Sequence, residues 1–210
     1  MKKLKHTLYA ILPLLLGAAM LVSCSESEEI DEYDNWKARN EQFLDSIAQV
    51  AKTNADGSWT ILKGYNLGDS TQLYAGHKEY FVYVKKLKKG DGTISPYYTD
   101  SIRVHYIGRL LPTKQHPEGL CFGKSYATNQ FNEATDVPTL LAVKENITGF
   151  TTALMNMHEG DRWMVYIPYY LAYGKNYYAA GDIPGYSTLI FEMQLARIYR
   201  YKVDFDTSWH

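Results

Sequence analysis

The first third of the chain contains one segment with the spacing of an amphipathic helix. Apolar side chains recur at helical intervals within residues 36–54, with charged and amide residues between them: Trp36, Phe43, Ile47 and Val50. Asp34 is positioned to cap the start of this helix, and the turn sequence at 54–57 ends it. Because one face is apolar, we expect the helix to dock, either on its own domain or on a second copy as a homodimer contact.

From residue 58 onward the pattern is that of β-strands. Five segments rich in β-branched and aromatic residues are predicted as strands: 58–63, 79–87, 101–110, 163–168 and 188–203. A short helix is predicted at 146–157, with apolar residues on one side: Ile147, Phe150, Leu154 and Met157. This combination predicts an α+β fold, in which an antiparallel sheet of about five or six strands wraps around the short helix.

Alternation within two of these strands predicts which side chains face the core. In the first, Ile102, Val104 and Tyr106 alternate with Arg103 and His105, as in a half-buried strand. In the last strand the positions predicted to point inward also alternate: Leu189, Phe191, Met193 and Leu195. The sheet should therefore bury one face against the helix and expose the other.

Composition excludes some classes of protein. Of 210 residues, 46% are hydrophobic and 21% are charged, a balance typical of a globular protein and not of a disordered one. The formal net charge of −1 provides no basic field that would attract nucleic acid. Tyrosine is abundant, with 19 residues, which favours a binding surface.

The N-terminus has the features of an export signal. Three lysines precede an apolar run at 8–22, which is shorter than the roughly 20 residues of a membrane span. The sequence LVSC at 21–24 resembles the bacterial lipobox, in which the cysteine is lipidated. We therefore predict a lipoprotein signal peptide at 1–23, lipidation of Cys24, and an acidic tether at 24–35. A plain signal peptide with an incidental cysteine is the alternative.

The predicted lipid sets the expected location of the protein. Acidic residues just after a lipidated cysteine resemble the surface-export signal of Bacteroidetes lipoproteins. The expected location is the cell envelope, in the outer membrane, on the periplasmic or the surface side. Contact with the membrane is expected through the N-terminal lipid alone.

Sequence motifs for metal, phosphate or nucleophilic chemistry are absent. The six histidines show no metal-ligand spacing on a helix, and neither a Walker-type loop nor a GxSxG elbow occurs. Cys121, the only thiol left after lipidation, lacks a protease-like signature and is interpreted as a small buried hydrophobe. We expect no metal and no cofactor. The function should rest on binding, or on catalysis without a strong acid or base.

Six ordered segments resemble the FKBP-type peptidyl-prolyl isomerases. They are VHYIGRL (104–110), GLCFGKSY (119–126), NITGF (146–150), MHEGDRWMVYIP (157–168), LAYG (171–174) and IPGYSTLIFEMQL (183–195). The resemblance extends over about residues 79–200 and implies an isomerase domain at 79–203. Residues 36–78 then form an N-terminal extension of one helix and one strand. The family fold, five or six antiparallel strands curled around a short helix, agrees with the pattern described above.

The resemblance also implies a pocket for proline and a role for each matching residue. The residues implied as catalytic are Tyr106, Phe122, Tyr173 and Phe191. Those implied to bind substrate are Ile147, Phe150 and Ile183. Phe150 would form the pocket floor, where the family usually has tryptophan. The Tyr173 hydroxyl and the Ile147 backbone N–H would each donate to a ligand carbonyl, whereas Tyr169 and Tyr170 have no assigned role.

The chain departs from the family pattern at several positions. Gly123 replaces an aspartate of the pocket, and Gly185 replaces the second proline of the family's IPP. The loop at 175–182 carries Tyr177 and Tyr178 in place of the common glycine- and proline-rich sequence. Two functions therefore stay open: an isomerase acting on proline-containing polypeptides, or a weakly active or inactive module that binds a peptide, a partner protein or a glycan.

Overall fold

The structure, a computed structural model, contains a helical N-terminal segment followed by a strand-rich domain. It describes residues 31–68, 74, 76–128, 131–132 and 135–201. Within these ranges there are two α-helices, α1 (Trp36–Thr53) and α2 (Thr148–Leu154). The same ranges contain seven strands: β1 (Trp59–Lys63), β2 (Phe81–Lys88), β3 (Ser101–Arg109), β4 (Cys121–Lys124), β5 (Thr139–Ala142), β6 (Arg162–Ile167) and β7 (Leu189–Tyr199). The predicted signal peptide, Cys24 and most of the predicted tether lie outside the described residues.

All the strands join one antiparallel sheet. Its order is β1-β2-β6-β7-β3-β4, and β5 pairs with the other end of β3. The predicted α+β fold is therefore confirmed. Within the described residues the sheet has seven strands and not five or six. Two strands that were not predicted, β4 and β5, have four residues each, which is too short for their alternation to be recognised in the sequence.

The core lies between α2 and the sheet. The helix predicted at 146–157 is shorter and spans Thr148–Leu154. Phe150 and Leu154 within it, and Met157 just after it, were predicted to share one side and are all buried in the main hydrophobic cluster. They meet the inward side chains of β7, and Leu189, Met193 and Leu195 are buried as the alternation predicted. Each such large apolar side chain contributes about 1.5–3 kcal/mol through burial. Packing thus stabilises a helix of seven residues, which would not be stable alone in water.

Helix α1 packs on the sheet of its own domain. Its buried positions follow the line Trp36, Asn40, Leu44 and Ala51, and Leu44 and Ala51 form a small cluster with Tyr83 of β2. Phe43 and Ile47 flank this line and are partly buried. The prediction that Val50 belongs to the apolar face is wrong, since its side chain is 48% exposed. Val50 directly precedes the buried Ala51, and consecutive residues of an α-helix are rotated by about 100°, so its side chain lies to one side of the buried line.

The ends of α1 are set by asparagines. Asn35 occupies the N-cap position with φ of 52° and makes no side-chain capping bond, so the prediction that Asp34 caps the helix is wrong. At the other end Asn54 has φ of 45°, and its N–H donates to the Val50 carbonyl at 2.9 Å. The predicted stop at 54–57 is thus confirmed. None of the helices within the described ranges is both long and apolar enough to cross a membrane.

Strand β3 deviates from the simple alternation predicted for it. His105, expected on the polar face, is only 6% exposed, and its ring lies 4.6 Å from that of Phe131. The pairing with β7 shifts between Arg103 and Val104, where a bulge occurs. Both faces of this central strand are therefore covered at His105, which its periodicity could not reveal.

Candidate functional site

A cavity of about 470 Å³ opens between the start of α2, the sheet and the loop that follows β6. Its lining residues come from five separate parts of the chain and are mostly aromatic or apolar: Tyr106, Phe122, Gly123, Leu141, Glu145, Asn146, Ile147, Phe150, Tyr173, Tyr178 and Phe191. Its volume lies in the range of small-ligand sites, roughly 300–1,000 Å³. This is the candidate site.

The inner wall of the cavity consists of aromatic rings packed edge to face. The Phe150 ring lies 5.8 Å from Tyr106 and 5.1 Å from Phe191, at interplanar angles of 83° and 73°. Phe122 meets Phe191 at 5.3 Å and 87°. Such pairs stabilise by about 0.5–1.5 kcal/mol beyond their burial, because the edge of one ring faces the electron-rich face of the other. The rings are therefore held in place before any ligand binds.

The absence of a side chain at Gly108 allows these rings to meet. This residue pairs with Phe191 of β7 on one side and with Gly123 of β4 on the other. A Cβ at Gly108 would lie 2.6 Å from both the Phe122 and the Phe191 ring. Any larger residue would push the two phenylalanines apart and deform the wall of the cavity.

The outer wall is built by two tyrosines from the loop after β6. The Tyr173 ring stacks on Tyr178 with centroids 4.1 Å apart and an angle of 14° between the planes. Tyr178 is held by a bridge to Ile183, in which its N–H donates to the Ile183 carbonyl at 2.8 Å and the reverse bond is 3.1 Å. Tyr178 is unusual for the family at this position and was not among the site residues expected from sequence.

Six of the seven site residues expected from sequence line the cavity: Tyr106, Phe122, Ile147, Phe150, Tyr173 and Phe191. Ile147 is the N-cap residue of α2, which places it at the mouth. Ile183 is not among the lining residues; it is 1% exposed and packs in the core beneath the Tyr178 loop. It supports the wall and does not form the inner surface of the site.

The site phenols are protonated at physiological pH, and burial raises their pKa values further. The pKa of Tyr106 is raised chiefly by its burial. The pKa of Tyr173 is also raised, first by burial and then by the nearby Tyr178 and Tyr106. Both hydroxyls are therefore hydrogen-bond donors across the physiological pH range.

Charged and metal-binding groups contribute little to the site. Among the described residues that line the cavity, Glu145 is the only one with a charged side chain. No group of three or more histidine, cysteine or acidic residues in the described ranges could hold a metal ion. The arrangement can enclose an apolar ring and donate hydrogen bonds to carbonyl oxygens.

The two tyrosines without an assigned role lie outside the cavity. Tyr169 packs 5.1 Å from Tyr186, and Tyr170 contacts Tyr80 edge to face at 4.6 Å. Tyr170 is largely exposed. The tyrosine-rich stretch at 167–174 thus divides between the candidate site and the outer surface of the domain.

The domain resembles solved structures of proline isomerases. A peptidyl-prolyl cis-trans isomerase from Pseudomonas syringae pv. tomato aligns over 80% of this chain and 96% of its own, with a TM-score of 0.53 and 22% identity. FkpA from Escherichia coli aligns over 94% of this chain and 72% of its own, with a TM-score of 0.50 and 24% identity. At these identities the likeness establishes a shared fold.

Similar sequences lead to the same family. The macrophage infectivity potentiator of Trypanosoma cruzi is 38% identical over 114 residues, which are 54% of this chain and 51% of that protein. The FKBP-type 22 kDa peptidyl-prolyl cis-trans isomerase of Escherichia coli is 37% identical over 112 residues, 53% of this chain and 47% of that protein. The chain therefore spans about half the length of these curated relatives.

A family-wide comparison covers β3 to β7 and the whole candidate site. Residues 92–196, half of the chain, match the sequence model described as FKBP-type peptidyl-prolyl cis-trans isomerase. The match includes every residue that lines the cavity. Fold, cavity and sequence therefore agree, and the chain belongs to the FKBP-type peptidyl-prolyl cis-trans isomerase family.

Proposed function

We propose that the protein catalyses the cis–trans isomerisation of peptide bonds that precede proline in other polypeptides, within the cavity described above. The observation that carries the proposal is the preformed aromatic box around Phe150, with protonated phenols at its wall. Such a box fits an apolar ring and offers donors for the carbonyls beside it.

The chemistry requires neither a nucleophile nor a proton transfer. Rotation about a peptide bond has a barrier of about 18–20 kcal/mol, because resonance across the C–N bond must be lost. The cis and trans forms before proline differ by only about 0.5–1 kcal/mol. A catalyst must therefore bind the twisted amide more tightly than either planar form. A dry pocket does so by excluding water that would hydrogen-bond the planar carbonyl.

Six of the residues that line the cavity have a proposed part in this reaction. Phe150 forms the floor on which the pyrrolidine ring rests, and Tyr106, Phe122 and Phe191 enclose its edges. The Tyr173 hydroxyl donates to a carbonyl next to the proline, and the Ile147 backbone N–H donates to a second one. These contacts orient the peptide so that the bond to be rotated lies within the aromatic box.

A second candidate function is binding without turnover. It is favoured by Gly123, which leaves the cavity wall without the carboxylate that the family has at this position. The tyrosine-rich mouth would then hold a peptide, a partner protein or a glycan. Because the same cavity would serve both functions, a measurement of catalytic rate is needed to distinguish them.

The location of this activity is a further part of the proposal. The lipobox-like sequence at 21–24 favours lipidation of Cys24, and the acidic residues that follow favour display from the outer membrane of a Bacteroidetes-type cell. Clients would then be exported or envelope proteins that contain proline. The homodimer through 36–54 stays a prediction: α1 uses its buried face within its own domain, and sedimentation at increasing concentration would detect self-association.

The test is cis–trans exchange of Leu-Pro and Phe-Pro peptides measured by NMR. It uses the soluble chain 25–210, which retains every element of the fold described above. Tyr173→Phe removes one donor, and its kcat/KM should fall about two- to tenfold, the equivalent of one hydrogen bond of roughly 0.5–1.5 kcal/mol. Tyr170→Phe, outside the cavity, is the matched control and should retain the wild-type rate.

A second experiment replaces Phe150, the proposed floor of the pocket. Phe150→Ala should abolish measurable exchange but also costs about 3–5 kcal/mol of stability, so Phe150→Leu is made beside it to keep the domain folded. Peptide binding without any acceleration in the folded wild type would reject the isomerase and support the binding module. Acceleration that survives in both Phe150 variants would place the site elsewhere.

A further inference from the structure

The cavity is larger than the ring that the proposed reaction requires. Its volume of about 470 Å³ falls in the range that holds drug-sized molecules, whereas the pyrrolidine ring has only five atoms. The inner part, between Phe150, Tyr106 and Phe191, fits the ring itself. The remaining part, at the mouth, has room for a side chain next to the proline.

One carboxylate lies among the described residues that line the cavity. Glu145 ends the short 3₁₀ helix at Val143–Glu145, just before α2, and is exposed. It carries the only charged side chain among the described residues that line the cavity, and its neighbour Lys144 is not one of them. Gly123 contributes no side-chain charge to the wall, so among the described lining residues the formal charge is that of Glu145.

The tyrosine stack favours the same kind of ligand. One face of Tyr178 is covered by Tyr173 at 4.1 Å, yet the residue remains 40% exposed, so part of its ring is open to a ligand. The face of an aromatic ring attracts cations, at exposed sites as well as in buried ones. A carboxylate and an open phenol ring therefore border the same space.

We infer that the cavity mouth is a subsite for the cationic side chain of a lysine or arginine adjacent to the isomerised proline, with Glu145 as its specificity-determining residue. The inference rests on the proposed function and names its preferred substrate class. Glu145 attracts the cation through its charge, and Tyr178 contacts the long aliphatic stem and the cation above its ring. Acidic residues at the same position are disfavoured by repulsion from Glu145.

The test compares peptides that differ only in the residue before or after the proline, which is lysine, leucine or glutamate. At low ionic strength the kcat/KM for lysine should exceed that for glutamate about two- to fivefold at one of the two positions, the size expected for an exposed ion pair. The ratio should approach one at about 0.5 M salt, because salt at this concentration screens most of the attraction between exposed charges.

Variants assign the preference to particular residues. Glu145→Gln should bring the lysine-to-glutamate ratio close to one. Asp91→Asn removes the same charge from an exposed turn outside the cavity and should leave the ratio unchanged. Tyr178→Ala should lower the ratio, and Tyr178→Phe, which keeps the ring, should restore it.

The outcomes separate this inference from the proposed function. Equal rates for lysine and glutamate peptides at both positions, or a preference that survives in Glu145→Gln, would overturn the subsite while leaving an active isomerase. If none of the peptides is isomerised, the proposed function fails. The ratio of the peptides' dissociation constants then decides whether the mouth selects cations, with the same expected size and the same variants.

Discussion

Replacing Gly123 with aspartate would return a carboxylate to the cavity wall, and the structure can accommodate it. Gly123 lies in β4 opposite Gly108, and its φ is not in the left-handed region. A Cβ added there would lie 3.7 Å from Cε2 of Tyr106, which is ordinary van der Waals contact. The variant should therefore fold as the wild type does, with its carboxylate beside the Tyr106 ring.

The expected gain is the value of one additional hydrogen bond. The Tyr106 phenol is protonated at neutral pH, and burial raises its pKa further, so it can donate to the new carboxylate. A net hydrogen bond is worth about 1 kcal/mol, which corresponds to about fivefold in rate when it acts in the transition state. Gly123→Asp should therefore raise kcat/KM for a Leu-Pro peptide about fivefold.

Two matched variants show whether charge or size is responsible. Gly123→Ala adds only the methyl group, and Gly123→Asn adds a neutral side chain of the same shape. NMR exchange rates of all three should be measured beside thermal unfolding curves. The reasoning would be refuted if folded Gly123→Asp were no faster than Gly123→Ala and Gly123→Asn, since the missing carboxylate would then have no influence on turnover.

Two further predictions concern stability. Trp36 anchors α1 through its indole N–H, which donates to Ser187 Oγ at 2.9 Å in a buried hydrogen bond. Trp36→Phe should therefore lower the free energy of unfolding by about 1–3 kcal/mol in urea titrations. An unchanged unfolding midpoint would contradict this prediction. Burial raises the pKa of Tyr83 to about 12, so the neutral phenol contributes stability that is complete below pH 10 and lost between about pH 10 and pH 12. Tyr83→Phe loses the hydrogen bond to the Lys78 carbonyl. Its unfolding free energy should nevertheless fall less steeply than that of the wild type as pH rises from about 9 to 11, because no phenol is left to ionise at this position. Parallel curves would show that Tyr83 does not cause the loss of stability at high pH.

Local patterns in the sequence were enough to predict most of the domain. The alternation of Leu189, Phe191, Met193 and Leu195 gives the inward face of β7, because side chains of a strand point to opposite faces with a period of two. The apolar side of 146–157 likewise gives the face of α2 that enters the core. Ordered segments that resemble one family then placed aromatic residues around a common cavity.

The tertiary structure decided features that depend on contacts between distant residues. Whether α1 docks on its own sheet was left open by its apolar face, since that face fits Tyr83 or a second copy equally well. The burial of His105 follows from Phe131, which covers the face of β3 that alternation predicted to be polar. Neither partner can be read from the periodicity of the segment itself.

The contacts between side chains at the mouth of the cavity could not be predicted from sequence either, even where the residues are close together in the chain. Tyr173 and Tyr178 are five residues apart, yet their stacking depends on a turn that pairs Tyr178 with Ile183 and turns Ile183 into the core. Glu145 reaches the same cavity from another element. The sequence by itself determined features such as the inward face of β7, because periodicity is local. Only the packed chain determined the exposure of Val50, the burial of His105 and the meeting of loop side chains, because each depends on contacts between distant residues.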